Sequence, residues 1–119
     1  MIVIGDKALE EAELILNQNE TRTFNLEHID KNGDVIDHSS STARMRLQSA
    51  DKSVNYVMDS CCTCTSEGVR VSIPASMTGS IPVGKYNWDM FVVTSLGEQV
   101  RLLVGKAKVG DTYAMDEVE

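Results

Sequence analysis

The chain has 119 residues, a net charge of −7 and 42% hydrophobic residues, only a small part of them aromatic. That length supports one packed core and not two, and the composition argues against disorder. No apolar run exceeds four residues, so neither a membrane-spanning helix nor a secretory signal is expected; the chain is expected to be made in a cytoplasm and not exported by that route. Residues 7–13 fit a short helix or turn, because Ala8, Leu9, Ala12, Ile15 and Leu16 share one helical face, and Leu14 and Leu16 fit the start of a strand. From there the dominant pattern is alternation with period two, which marks half-buried strands. Residues 21–29 place Phe24, Leu26 and His28 on one face, with Asn25 and Glu27 opposite. Residues 42–48 turn Ala43, Met45 and Leu47 inward and Arg44 and Arg46 outward. Residues 54–58 group Val54, Tyr56 and Met58, and residues 69–73 alternate cleanly. Residues 85–94 form the longest expected strand, with Tyr86, Trp88, Met90 and Val92 on one face, and residues 100–109 put Val100, Leu102 and Val104 together.

Turn signals fall between these runs. Asn32-Gly33-Asp34 and Leu96-Gly97-Glu98 read as hairpin loops, while residues 74–84 carry both prolines and two glycines and read as a long crossing loop. Strands at this spacing, with no strong helix between them, predict an all-β fold: an antiparallel sandwich of about seven to eight strands. The expected organisation is a single sandwich domain, with a core over residues 14–112, an N-terminal segment over 1–13 and an acidic tail over 113–119.

Few residues suggest chemistry. Asp30-Lys31-Asn32-Gly33-Asp34 matches the first three ligand spacings of a calcium loop. Val35 then stands where the loop needs glycine and Ser41 where it needs glutamate, so a hairpin whose side chains cap their own backbone is the better reading. Cys61, Cys62 and Cys64, with His28 and His38, raise the question of zinc. The Cys-Cys-x-Cys spacing is not a zinc knuckle, and adjacent strand residues point to opposite faces. An odd cysteine count in one short segment is also no disulfide framework and fits a reducing compartment. No nucleophile elbow, Cys–His signature or phosphate loop occurs. No catalytic, cofactor-binding or metal-binding residue is therefore expected, and no cofactor. Tyr86 and Trp88 share a strand face, where they serve either as core or as an exposed platform for sugar; alternation favours the core. The acidic balance opposes a phosphate backbone, so no nucleic-acid partner is expected, and no membrane.

The order of elements carries a resemblance. Asn17-Gln18-Asn19-Glu20-Thr21-Arg22-Thr23-Phe24 leads into the first alternating strand. Gly68-Val69-Arg70-Val71-Ser72-Ile73-Pro74-Ala75-Ser76-Met77-Thr78 crosses through Pro82-Val83-Gly84-Lys85-Tyr86-Asn87-Trp88-Asp89-Met90 to the turn at Leu96-Gly97-Glu98 and the end Val104-Gly105-Lys106-Ala107-Lys108-Val109. Over residues 14–112 this order resembles the immunoglobulin-like sandwich at the N-terminus of phage baseplate upper proteins, a domain also seen in small phage virion proteins. The resemblance implies a non-enzymatic structural protein of a phage or prophage particle, placed in the virion and acting through other virion proteins and copies of itself. Tail, baseplate, head–tail adaptor and head decoration positions are all compatible with it. The alternative expectation is a carbohydrate- or host-surface-binding module.

Overall fold

A computed structural model of the chain describes residues 2–5 and 10–110. Among these residues ten strands build two sheets that close over one apolar core. They are β1 (Ile2–Ile4), β2 (Glu10–Glu11), β3 (Leu14–Asn17), β4 (Arg22–His28), β5 (Thr42–Ser49), β6 (Asn55–Val57), β7 (Cys62–Thr65), β8 (Gly68–Ile73), β9 (Gly84–Val93) and β10 (Gln99–Gly110). The smaller sheet has the order β1-β4-β8-β7. The larger runs β2-β10-β9-β5-β6, with β3 following β2 along the same edge of β10. The all-β sandwich expectation is met. Its body is antiparallel, but β1 lies parallel to β4, and β2 and β3 lie parallel to β10. The N-terminal chain thus serves both sheets in turn.

The alternation read from the sequence is the alternation that buries. Ala43, Met45 and Leu47 of β5, Val69, Val71 and Ile73 of β8, and Tyr86, Trp88, Met90 and Val92 of β9 all face the core. Leu26 and His28 are buried on β4, with Phe24 partly buried beside them. Phe24 meets Trp88 edge-on at 6.2 Å between ring centres, and Tyr56 meets Tyr86 the same way at 6.1 Å. Such pairs add about 0.5–1.5 kcal/mol beyond the area they bury. Residues 74–83 contain a single helical turn, α1 (Ala75–Thr78), and no strand, and β9 begins at Gly84. Buried Thr78 in that turn donates its hydroxyl to the Glu20 carbonyl at 2.9 Å, which fastens the crossing to the turn before β4.

Four expectations are corrected. Of the helix placed at residues 7–13, the part over 7–9 lies outside the described residues, as does the acidic tail over 113–119; Glu10–Glu11 is a strand. The free edge of β10 offers backbone partners that an isolated helical stripe does not. On β10 the register shifts between Arg101 and Leu103, so Leu102 is an extra residue. Leu102 and Leu103 are both fully buried and Val104 turns outward, where strict alternation put Leu102 and Val104 together. Val54 is 41% exposed while Tyr56 and Met58 turn in, because β6 starts only at Asn55. Cys62–Thr65, absent from the expected strands, is the edge strand β7, which pairs antiparallel with β8.

Candidate functional site

The residues singled out for chemistry fall at separate places. Asp30 spends its carboxylate on its own loop: Oδ1 accepts from the amides of Asn32 at 2.8 Å and Asp34 at 3.0 Å. Gly33 takes φ +85° in the same turn, a conformation that suits glycine, and an Ile29–Val35 bridge closes the hairpin. The loop is backbone-capping chemistry, as its missing ligand positions imply. The three cysteines are free thiols on or beside β7. Cys61 is buried with Sγ 3.5 Å from the Met77 sulfur, and Cys62 and Cys64 are half-buried toward the core. Burial pushes the Cys62 thiol up to about 12, with Cys61 and Asp59 adding to the shift, and burial raises Cys61 and Cys64 as well. Such thiols are poor nucleophiles and poor metal ligands, since both roles need thiolate. Alkylation of the folded protein by iodoacetamide at pH 8 is expected to be at least about a hundredfold slower at Cys62 than at a free cysteine, judged by its ionised fraction. Peptide mass spectrometry over a time course reads this, and modification of Cys62 at the free-cysteine rate would contradict it.

The fold does bring His28 and His38 together. His28 ends β4 and faces inward; His38 returns to it after the hairpin, held by its amide to the Thr65 carbonyl at 3.0 Å. The rings lie side by side, 6° from parallel with centres 5.2 Å apart, and Nδ1 of His28 is 3.0 Å from Nε2 of His38. Both are buried, with 6% and 4% of their surface exposed. Nδ1 of His38 continues the chain to the Ser41 hydroxyl at 3.3 Å, whereas Nε2 of His28 is buried with no hydrogen-bond partner of good geometry among the described residues. Burial first, then the neighbouring His38 ring, holds His28 below the usual imidazole range; the Gly5 backbone pulls the other way. Burial also lowers His38, against the opposing pull of Asp37. Inward-facing His28 was visible in the strand pattern, but its meeting with a second histidine was not. Among the described residues no three His, Cys, Asp or Glu side chains gather closely enough to hold a metal ion.

Tyr86 and Trp88 are 8% and 3% exposed, so neither can stack on a sugar from the surface. Each polar tip is satisfied inside: the Tyr86 hydroxyl donates to the Pro82 carbonyl at 2.6 Å, and the Trp88 indole donates to the Ala12 carbonyl at 2.9 Å. What the surface offers is sheet. The outer face of β5, β9 and β10 carries Arg46 paired to Asp89 at 3.2 Å, with Arg101 at 3.9 Å from the same carboxylate. The edge strands β1 and β6 expose Val3 at 50% and Val57 at 64%. No helix among the described residues is long and apolar enough to cross a membrane.

No known protein family and no curated protein matches the sequence. In structure the chain is similar to the N-terminal domain of phage TP901-1 ORF48, with a TM-score of 0.56 and 9% identity over 92% of this chain and 95% of that one. A family 123 glycoside hydrolase from Clostridium perfringens aligns at a TM-score of 0.33 and 9% identity over 85% of this chain and 23% of its own, too weak a likeness to carry an argument. The likeness to the phage domain is one of fold, and the sandwich of this chain is a phage-like fold.

Proposed function

We propose that the chain is a non-enzymatic structural part of a bacteriophage or prophage particle. It would be an immunoglobulin-like sandwich of the kind that opens phage baseplate upper proteins, and it would work in the virion by packing against copies of itself and other virion proteins. The observation that carries this reading is the likeness to the N-terminal domain of phage TP901-1 ORF48, which spans nearly the whole of both chains. Surface character supports it. Edge strands with open backbone groups and exposed Val3 and Val57 suit strand-to-strand or face-to-face contacts between proteins. The reading covers a tail, baseplate, head–tail adaptor or head decoration part alike. The sugar-binding alternative loses its aromatic platform, because Tyr86 and Trp88 are core residues.

Produced together with the proteins of its neighbouring genes, the chain is expected to co-purify with at least one of them in fixed stoichiometry. Purified alone, it is expected to give native masses at multiples of 13.1 kDa. A strict monomer that binds none of those proteins would overturn the reading.

A further inference from the structure

The charge of this protein is unevenly placed. Six of its eleven lysines and arginines stand on the outer face of the large sheet: Arg44, Arg46, Lys85, Arg101, Lys106 and Lys108. Four acids share that face or its margin: Asp89 in the middle, Glu11 beside Val104, exposed Glu13 at the register position beside Lys106, and Asp59 beside Arg44. The other described side chains comprise four bases against eight acids. The arginines have partners, Arg46 and Arg101 in Asp89 and Arg44 in Asp59 at 3.5 Å. Among the described residues the lysines have none. Register sets Lys85 directly opposite Lys108, with Lys106 two pairs further along on the same face, and none of the three has a carboxylate within 4 Å among the described residues. Lys106 reaches only the Asn87 side-chain oxygen, at 2.9 Å. Like charges directly opposed across a ladder destabilise it. Ile15, 48% exposed, adds an apolar spot opposite Lys108 on β3.

The acidic complement lies at the other end of the β9–β10 ladder. The lysines sit where β9 begins and β10 ends. Where β9 ends and β10 begins, the loops carry Asp30, Asp34, Asp37, Glu67 and Glu98 with the single base Lys31. The hairpin and the β7–β8 turn come together there through the His38–Thr65 bond and a shared groove that Val35 and Glu67 both line.

We propose that the lysine corner at Lys85, Lys106 and Lys108 receives the acidic hairpin end, Asp34 and Glu67 foremost, of a second copy of this chain. The proposal rests on the self-packing part of the reading above and names its surfaces. Two different patches meet, so the contact is heterologous and propagates head to tail, closing to a ring or continuing as a stack.

Charge swaps test it. Lys85, Lys108, Asp34 and Glu67 are exposed, and the fold of every variant is checked by the emission of buried Trp88. In sedimentation velocity, K85E/K108E alone and D34K/E67K alone are each expected to self-associate at least about tenfold more weakly than the unmodified chain, because like charges then face each other. An equimolar mixture is expected to regain association, since each variant then offers the complement of the other. Unmodified chain that stays monomeric would overturn the proposal while leaving co-purification with other virion proteins to decide the functional reading. Association that survives both reversals would overturn the surfaces but not the self-packing. Association that responds to neutralising Asp116, Glu117 and Glu119 and ignores D34K/E67K would give the lysines to the chain's own tail, which also overturns the proposal.

Discussion

Gly105→Val is expected to cost about 3 kcal/mol or more, at the severe end for a single substitution, and to loosen the N-terminal strands from the large sheet. The reason is a close approach of two backbones. A Cβ on residue 105 would overlap the Ala12 carbonyl oxygen and press on the Ala12 carbonyl carbon and amide nitrogen. Ala12 cannot step aside cheaply. Its carbonyl takes the Trp88 indole proton at 2.9 Å, and its amide donates to the Val104 carbonyl at 3.1 Å. Ala12 also sits between β2 and β3, so lifting it strains both pairings with β10. Behind them stand Leu14 and Leu16, 2% and 0% exposed, whose apolar surface would meet water. A buried indole donor left without its acceptor costs about 1–3 kcal/mol by itself. Urea unfolding should show the loss as a lower midpoint, and Trp88 emission in the folded baseline should move to the red. Lys106→Ala next door, on the exposed face, is expected to stay within about 0.5 kcal/mol of the parent. A G105V protein with the parent midpoint and emission would show that the Ala12 contact does not hold the N-terminal strands.

That contact marks the boundary of what the sequence makes legible. Strands β5, β8 and β9 can be read directly, because each sends alternate side chains to one apolar core and solvent takes the rest. Gly105 could be seen as part of a motif, but its purpose is a carbonyl 93 positions earlier in the chain, and no local pattern encodes that. The N-terminal stripe of Ala12, Ile15 and Leu16 fits a helical period as well as a strand, and the open edge of β10 decided between them. The bulge at Leu102 hides in Leu102-Leu103-Val104, where any two of three neighbours could turn inward. Strand β7 hides because Cys62-Thr63-Cys64-Thr65 contrasts little in polarity from one residue to the next, so its strand character comes from pairing with β8. Candidate chemistry was less legible still. Two histidines ten positions apart say nothing until a hairpin folds one onto the other.

Those histidines are expected to make the protein acid-sensitive in a pH range where carboxylates do not titrate. Both imidazoles are held below their usual value near 6.5, chiefly by burial, so the unfolded chain takes up protons before the folded one does. Above about pH 7 both states are neutral at these positions and the pair leaves stability independent of pH. As pH falls below 6.5 the unfolded state is favoured, and stability drops until the folded-state values are passed. Geometry sets how the folded state responds. With Nδ1 of His28 and Nε2 of His38 at 3.0 Å, one nitrogen must donate and the other accept; two charged rings would present two protons to each other. Full protonation therefore has to part the rings. The carboxylates with shifts here, Asp37 and Asp51, are held low by Ser39 and by Ser53 and Ser49, and so change charge at still lower pH. Urea midpoints should thus fall between pH 7 and pH 5, and that fall should shrink in H28L/H38L, which cannot take up the protons. At pH 7.5 the single change His38→Leu is expected to cost about 1–3 kcal/mol, since it strands the buried His28 ring. Hydrogen exchange locates the opening. The amides of Ile36 and His38, bonded to the His28 and Thr65 carbonyls, should lose protection at pH 5 relative to amides of β9 after correction for intrinsic rate. Equal pH dependence in the parent and the double variant would remove the histidine pair as the cause.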